Sequence, residues 1–172
     1  MNRRKALKNV ALTFGTALSL PAWANGWTPE SLPKITNFKP AESALLNQLV
    51  EALIPKTDTP GAGEMGIEKF VMAMVNDCTS NAQKSVFMTQ LGSVDSFAKK
   101  NFGKSFSGIS ASEKTAVLDA ISKSEEEAWK SFFGMLKRYT VQGYQSSEYV
   151  MYKNGFQFAP GFYSGCVDLE ES

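Results

Sequence analysis

No histidine occurs anywhere in the 172 residues, and only two cysteines do. Histidine is the commonest general base and the commonest metal ligand. Its absence excludes Ser-His-Asp and Cys-His pairs, His-ligated zinc and CxxCH haem attachment. Two cysteines cannot by themselves hold an iron–sulfur cluster. No GxGxxG follows a strand-like run and no GxxxxGK[ST] occurs, so dinucleotide and nucleoside-phosphate folds lack their signatures. The chain is expected to have no catalytic, cofactor-binding or metal-binding residues of its own.

The first 24 residues have a different character from the rest. Arg3, Arg4, Lys5 and Lys8 precede an apolar stretch over residues 10–20, and no acid appears before Glu30. Pro21 ends the stretch, and Ala22 and Ala24 supply the small side chains that a signal peptidase reads, which places cleavage after Ala24. The stretch is too short and too polar for a membrane span of about 20 residues. The adjacent Arg3 and Arg4, followed by Leu7 and Lys8, have the form of a twin-arginine leader, an address for export of folded cargo. Ala6 stands where a bulkier apolar residue is commoner, and an ordinary secretory leader is the other reading. Both export the chain.

Residues 25–172 then form one domain, long enough to bury a core. The leader holds four of the 18 basic residues and none of the 17 acids, so the mature domain carries a net charge of about −3. That balance points away from nucleic acid and from an anionic membrane surface.

Apolar periodicity predicts helices throughout. Pro40 opens the first, with Leu45, Leu46, Leu49, Val50 and Leu53 on one face, and Pro55 closes it. Two prolines and three glycines in "PKTDTPGAGEMG" predict a structured loop. Ile67, Phe70, Val71, Met74, Val75 and Cys78 mark the inward face of a second helix. Ser80 with Gln83, Ser110 with Glu113 and Ser124 with Glu127 read as three capping boxes, each opening a further helix. The inward residues of these are Phe87, Leu91, Val94, Phe97 and Phe102; then Ala116, Val117, Ala120 and Ile121; then Trp129, Phe132, Phe133 and Leu136, with Tyr139 or Val141 continuing the face. An all-α bundle of about five helices is expected, with residues 25–38 as an extended lead-in and 145–172 as an irregular tail.

In an exported chain, Cys78 and Cys166 read most simply as one disulfide that pins the tail, against the alternative of two free thiols with Cys78 ending its core stripe. Closing so long a loop is worth about 4–5 kcal/mol before strain. Glu125–Glu127 read as a charged helix start, and Asp58 as a cap for loop amides rather than a catalytic or metal-binding carboxylate. The loop 55–66 and the tail 144–166 lack helical period. The tail is rich in aromatics, including Tyr144, Phe156, Phe158, Phe162 and Tyr163, which either meet a partner or cover the bundle's own core.

"LIPKTDTPGA" after an amphipathic helix, a glycine-started helix ending "NDC", then "GYQSSE" and "APGFYSGCV" resemble the subunit 3 family of gluconate 2-dehydrogenase. The twin-arginine leader belongs to the same pattern. The resemblance implies a non-catalytic small subunit of a periplasmic sugar or polyol dehydrogenase. FAD would be carried by a large partner subunit of the glucose-methanol-choline type, with a cytochrome c as a frequent third partner and any membrane association made through partners. In several such complexes the small subunit supplies the export signal for both chains.

The matching positions are Pro55, Thr57, Asp58, Thr59, Pro60, Gly61 and Ala62, then Cys78, Tyr144, Ser147, Glu148, Pro160, Gly161 and Cys166. None of them is catalytic in the family. Of these, Thr57–Gly61, Tyr144, Ser147 and Glu148 are expected at the partner interface together with Phe156, Phe158, Phe162 and Tyr163. The stretch "YVMYKNGFQF" departs from the family pattern and leaves the large subunit's substrate open. An independent periplasmic helical ligand-binding protein is the other reading, which a hydrophobic cavity in the bundle would distinguish.

Overall fold

The computed structural model describes residues 26–32, 35 and 37–155. Among these residues the regular elements are six α-helices and a 3-10 turn: α1 (Pro40–Leu53), α2 (Ile67–Asp77), α3 (Asn81–Phe102), the turn Phe106–Gly108, α4 (Ala111–Ser122), α5 (Glu127–Gln145) and α6 (Glu148–Lys153). The architecture is the expected all-α bundle. A single parallel bridge between Trp27 and Ser147 is the sole β-type pairing among the described residues.

Local chemistry accounts for most helix ends. Ser80 accepts from the Gln83 amide while the Gln83 side chain returns to Ser80, and Ser110 with Glu113 does the same at α4. Gly103, at φ +74, stops α3 in a left-handed conformation. The third expected box does not form. The chain turns at Lys123–Ser124, where Ser124 N–H donates to Ile121 O, and α5 starts at Glu127 with Glu126 at the cap. The Ser124 hydroxyl instead accepts from Glu126 N–H at 3.3 Å, and Glu125 lies outside the helix.

α5 is the central element and packs against each of the other five helices. It buries Trp129, Phe132, Met135, Leu136 and Tyr139, and Trp129 and Phe132 meet Phe97 and Phe87 of α3 at centroid distances near 5 Å. Val141 is left exposed, so the apolar face continues through Tyr139. On α4 the inward residues are Val117, Leu118 and Ile121, and Ala116 faces solvent. Cys78 is also exposed: α2 ends at Asp77, and the last residue of the stripe falls at the cap, where the chain turns away from the core.

The lead-in is a strap. Trp27 is buried, and its ring lies 5.1 Å from that of Phe70. The indole N–H donates to Gly143 O at 2.7 Å, filling one of the carbonyls that the last turn of α5 leaves without a helical partner. Trp27 N–H reaches Ser146 O, and Glu148 N–H reaches Trp27 O. Residues 148–153, expected to be irregular, form α6. Ser147 caps this helix through Val150 N–H, Glu148 sits in its first turn, and Lys153 in its last.

Candidate partner interface

Two side chains one turn apart on α1 shape the loop after it. Asn47 donates to Gly63 O at 2.9 Å, and Glu51 accepts from Gly63 N–H at 2.8 Å, so the Gly63 residue is held from both sides. Glu51 also accepts from Lys56 N–H at 3.1 Å. Ala62 N–H closes the loop onto Ile54 O at 2.9 Å, with Ala62 fully buried beneath it. A Cβ at Gly61 would collide with the Glu51 carboxylate, and one at Gly63 would sit 3.0 Å from Glu51 Cβ. The glycines of "TPGAG" are therefore explained by the close approach of a carboxylate. Glu51, not Asp58, is the amide-capping acid of the loop, and Asp58 is exposed at its tip.

The loop and the end of α5 meet. Tyr144 Oη donates to Pro60 O at 3.0 Å and lies 3.2 Å from the Thr59 hydroxyl, across 84 or more positions of sequence. Thr59, Pro60, Tyr144 and Ser147, all named from sequence, thus belong to one corner of the molecule. Ser147 is buried there, and its hydroxyl donates to Tyr144 O at 2.7 Å. Its role is to join α5 to α6. Thr57, Asp58 and Glu148 present exposed side chains, and Gly61 is buried beneath the loop.

Glu68 is 7% exposed in the first turn of α2, where the helix dipole favours a carboxylate, and it accepts from Asn47 at 2.9 Å. Glu64 forms an exposed ion pair with Lys56 at 3.1 Å. Glu51, Glu64 and Glu68 are thus each bound within the α1–α2 loop region, and no group of three or more His, Cys, Asp or Glu able to hold a metal is found among the described residues. Phe156, Phe158, Phe162, Tyr163, Cys166, Arg3, Arg4, Ala22 and Ala24 lie outside the described residues.

Sequence reasoning missed Glu51, Trp27 and Gly143. A tryptophan in a supposed linker was the available signal for the strap, since so large an apolar ring is seldom left wet. Gly143, in the last turn of α5, was the signal for a close approach. A Cβ there would come within 2.7 Å of Phe70 Cδ1 and 3.3 Å of Ile67 Cγ2.

Residues 40–165 match the family described as Gluconate 2-dehydrogenase subunit 3. The chain belongs to that family and is a non-catalytic accessory subunit of an oxidoreductase complex. No curated protein and no solved structure matches it.

Proposed function

We propose that this chain is the export-carrying small subunit of a periplasmic, FAD-dependent sugar or polyol dehydrogenase. It folds in the cytoplasm on a large flavoprotein of the glucose-methanol-choline type, brings that partner through the twin-arginine route, and stays bound after cleavage at Ala24. Its mechanism is binding. The corner formed by Thr57–Gly61, Tyr144, Ser147 and Glu148 is the partner face, and a cytochrome c joins the assembly through the large subunit. The flavin sits in the partner, which performs the chemistry.

The observation that carries this reading is the family match over residues 40–165, which includes the loop and the α5–α6 corner. The leader residues Arg3 and Arg4 add the route. The test is the double substitution Arg3→Lys, Arg4→Lys, followed by fractionation of both polypeptides. Both chains should be stranded in the cytoplasm. A large subunit that still reaches the periplasm would show that it carries its own signal.

A further inference from the structure

α6 has little of its own to hold it as a helix. It spans six residues, none of them buried, whereas a helix needs about 12–15 residues to be even marginal in water on its own. Ser147 gives local support, its hydroxyl donating to Tyr144 O and accepting from Val150 N–H. Further support comes from the start of the domain. Glu148 N–H, a first-turn amide with no helical partner, donates to Trp27 O at 3.3 Å. Trp27 N–H donates to Ser146 O at 3.4 Å and the indole N–H to Gly143 O, so one residue fills open groups on both sides of the α5–α6 junction. Gly26 permits this approach: a Cβ there would stand 2.8 Å from Glu148 N and 3.0 Å from Ser146 O, and its φ of +104 suits glycine alone. Pro29 lies over Gly66, where a Cβ would meet its Cγ at 3.0 Å. Glu148 and Tyr149 of α6 line one recess with Pro29 of the strap and Met65 of the α1–α2 loop. The strap thus touches both the loop and the helix pair that make the Thr59–Tyr144 corner.

We infer that the strap is a conformational latch: α6 is helical only while Trp27 is seated, so docking of residues 26–32 sets the α6 side of the corner. Its bearing on binding rests on the proposal that this corner is the partner face. With the strap seated, the first turn of α6 is fixed beside the loop. With it lifted, Glu148 N–H, Ser146 O and Gly143 O lose their partners together, and a six-residue helix with no buried face melts. Glu148 and Tyr149 then lose their fixed positions. α1 to α5 keep their packed apolar faces, so the opening is local rather than global. The large subunit meets a competent face only in the seated fraction, and its apparent affinity falls in proportion to that fraction.

The test reads amide hydrogen exchange in the full chain produced without the large subunit. The probes are Met151 and Asn154, whose amides donate to Ser147 O and Val150 O across α6. Trp27→Ala should speed their exchange by roughly tenfold or more and leave the amides of Leu91 and Leu136, fully buried in the core, unchanged. Gly26→Ala unseats the strap backbone while every core side chain stays in place, and should act in the same direction. If Trp27→Ala loosens the whole bundle, all amides speed together and Gly26→Ala decides. Exchange at Met151 and Asn154 that stays as slow in Gly26→Ala as in the parent would overturn the latch. Affinity for the large subunit is measured separately, and Gly26→Ala should weaken it by roughly the factor by which the seated fraction falls. Fast exchange in α6 with unchanged affinity would support the latch and overturn the corner as the partner face.

Discussion

At the scale of single residues, Gly143 shows how one missing methyl can organise a junction. Alanine would improve the helix by about 1 kcal/mol through propensity. It would also drive a Cβ against Phe70 and Ile67, and overpacking of this kind costs about 1–3 kcal/mol. The second effect is expected to win, because Phe70 is also packed against the buried Trp27, 5.1 Å between ring centroids, which limits its retreat. Gly143→Ala should therefore lower the melting temperature by a few degrees. Adding Phe70→Leu should recover part of the loss, and the coupling between the two sites, measured in a double-mutant cycle, is the check.

At the scale of elements, the two capping boxes that formed were legible because every group in them lies within four residues. Glu113 accepts both the Ser110 N–H and the Ser110 hydroxyl at 2.7 Å, and these hydrogen bonds, backbone first and side chain second, lower its pKa below the ordinary glutamate range. A carboxyl whose pKa is depressed by folding contributes stability above the unfolded value and loses it as pH falls through the folded one. Glu113→Gln should consequently be less stable than the parent at neutral pH. The difference should close as acid takes both chains below the carboxylate range, which paired thermal melts across pH would read.

The same locality explains what could not be read in advance. α6 spans six residues, fewer than two helical turns, so it offers no period to detect. Ser124 with Glu127 matched the box spacing but lost to the turn that ends α4. The hold of Glu51 on Gly63, the Tyr144–Pro60 hydrogen bond and the Trp27–Gly143 contact each join residues that sequence spacing does not relate. Composition could say that the loop was structured, since two prolines and three glycines fall within it. It could not say which acid shaped it, and Asp58, inside the loop, was the wrong choice over Glu51, one turn before it.

At the scale of the whole molecule, the question is how the segments beyond the bundle are attached. Cys78 is exposed at the end of α2. In the exported protein it is expected to be joined to Cys166, and non-reducing peptide mass mapping should find the linked pair. Cys166→Ala should loosen the tail and lower the yield of complex without reducing helix content, because the apolar stripes of α1 to α5 pack independently of that bond. Two free thiols in the exported protein would remove the pinned-tail expectation.

The Trp27 strap also decides how the molecule answers to a pull. A chain drawn by its leader is loaded first at Gly26, whose φ of +104 and tight fit against Glu148 N leave no slack before Trp27. The load is then borne by the buried indole with its few hydrogen bonds to the α5–α6 junction, and next by Leu32, Ile35 and the buried Phe38, while each helix behind them is held by a longer packed face. Tension applied at the N-terminus should therefore peel residues 26–39 from the body as a first and separate event, an extension of at most about 45 Å, before any helix of the bundle gives way. The strap is thus the part expected to yield first under tension, ahead of the folded helices.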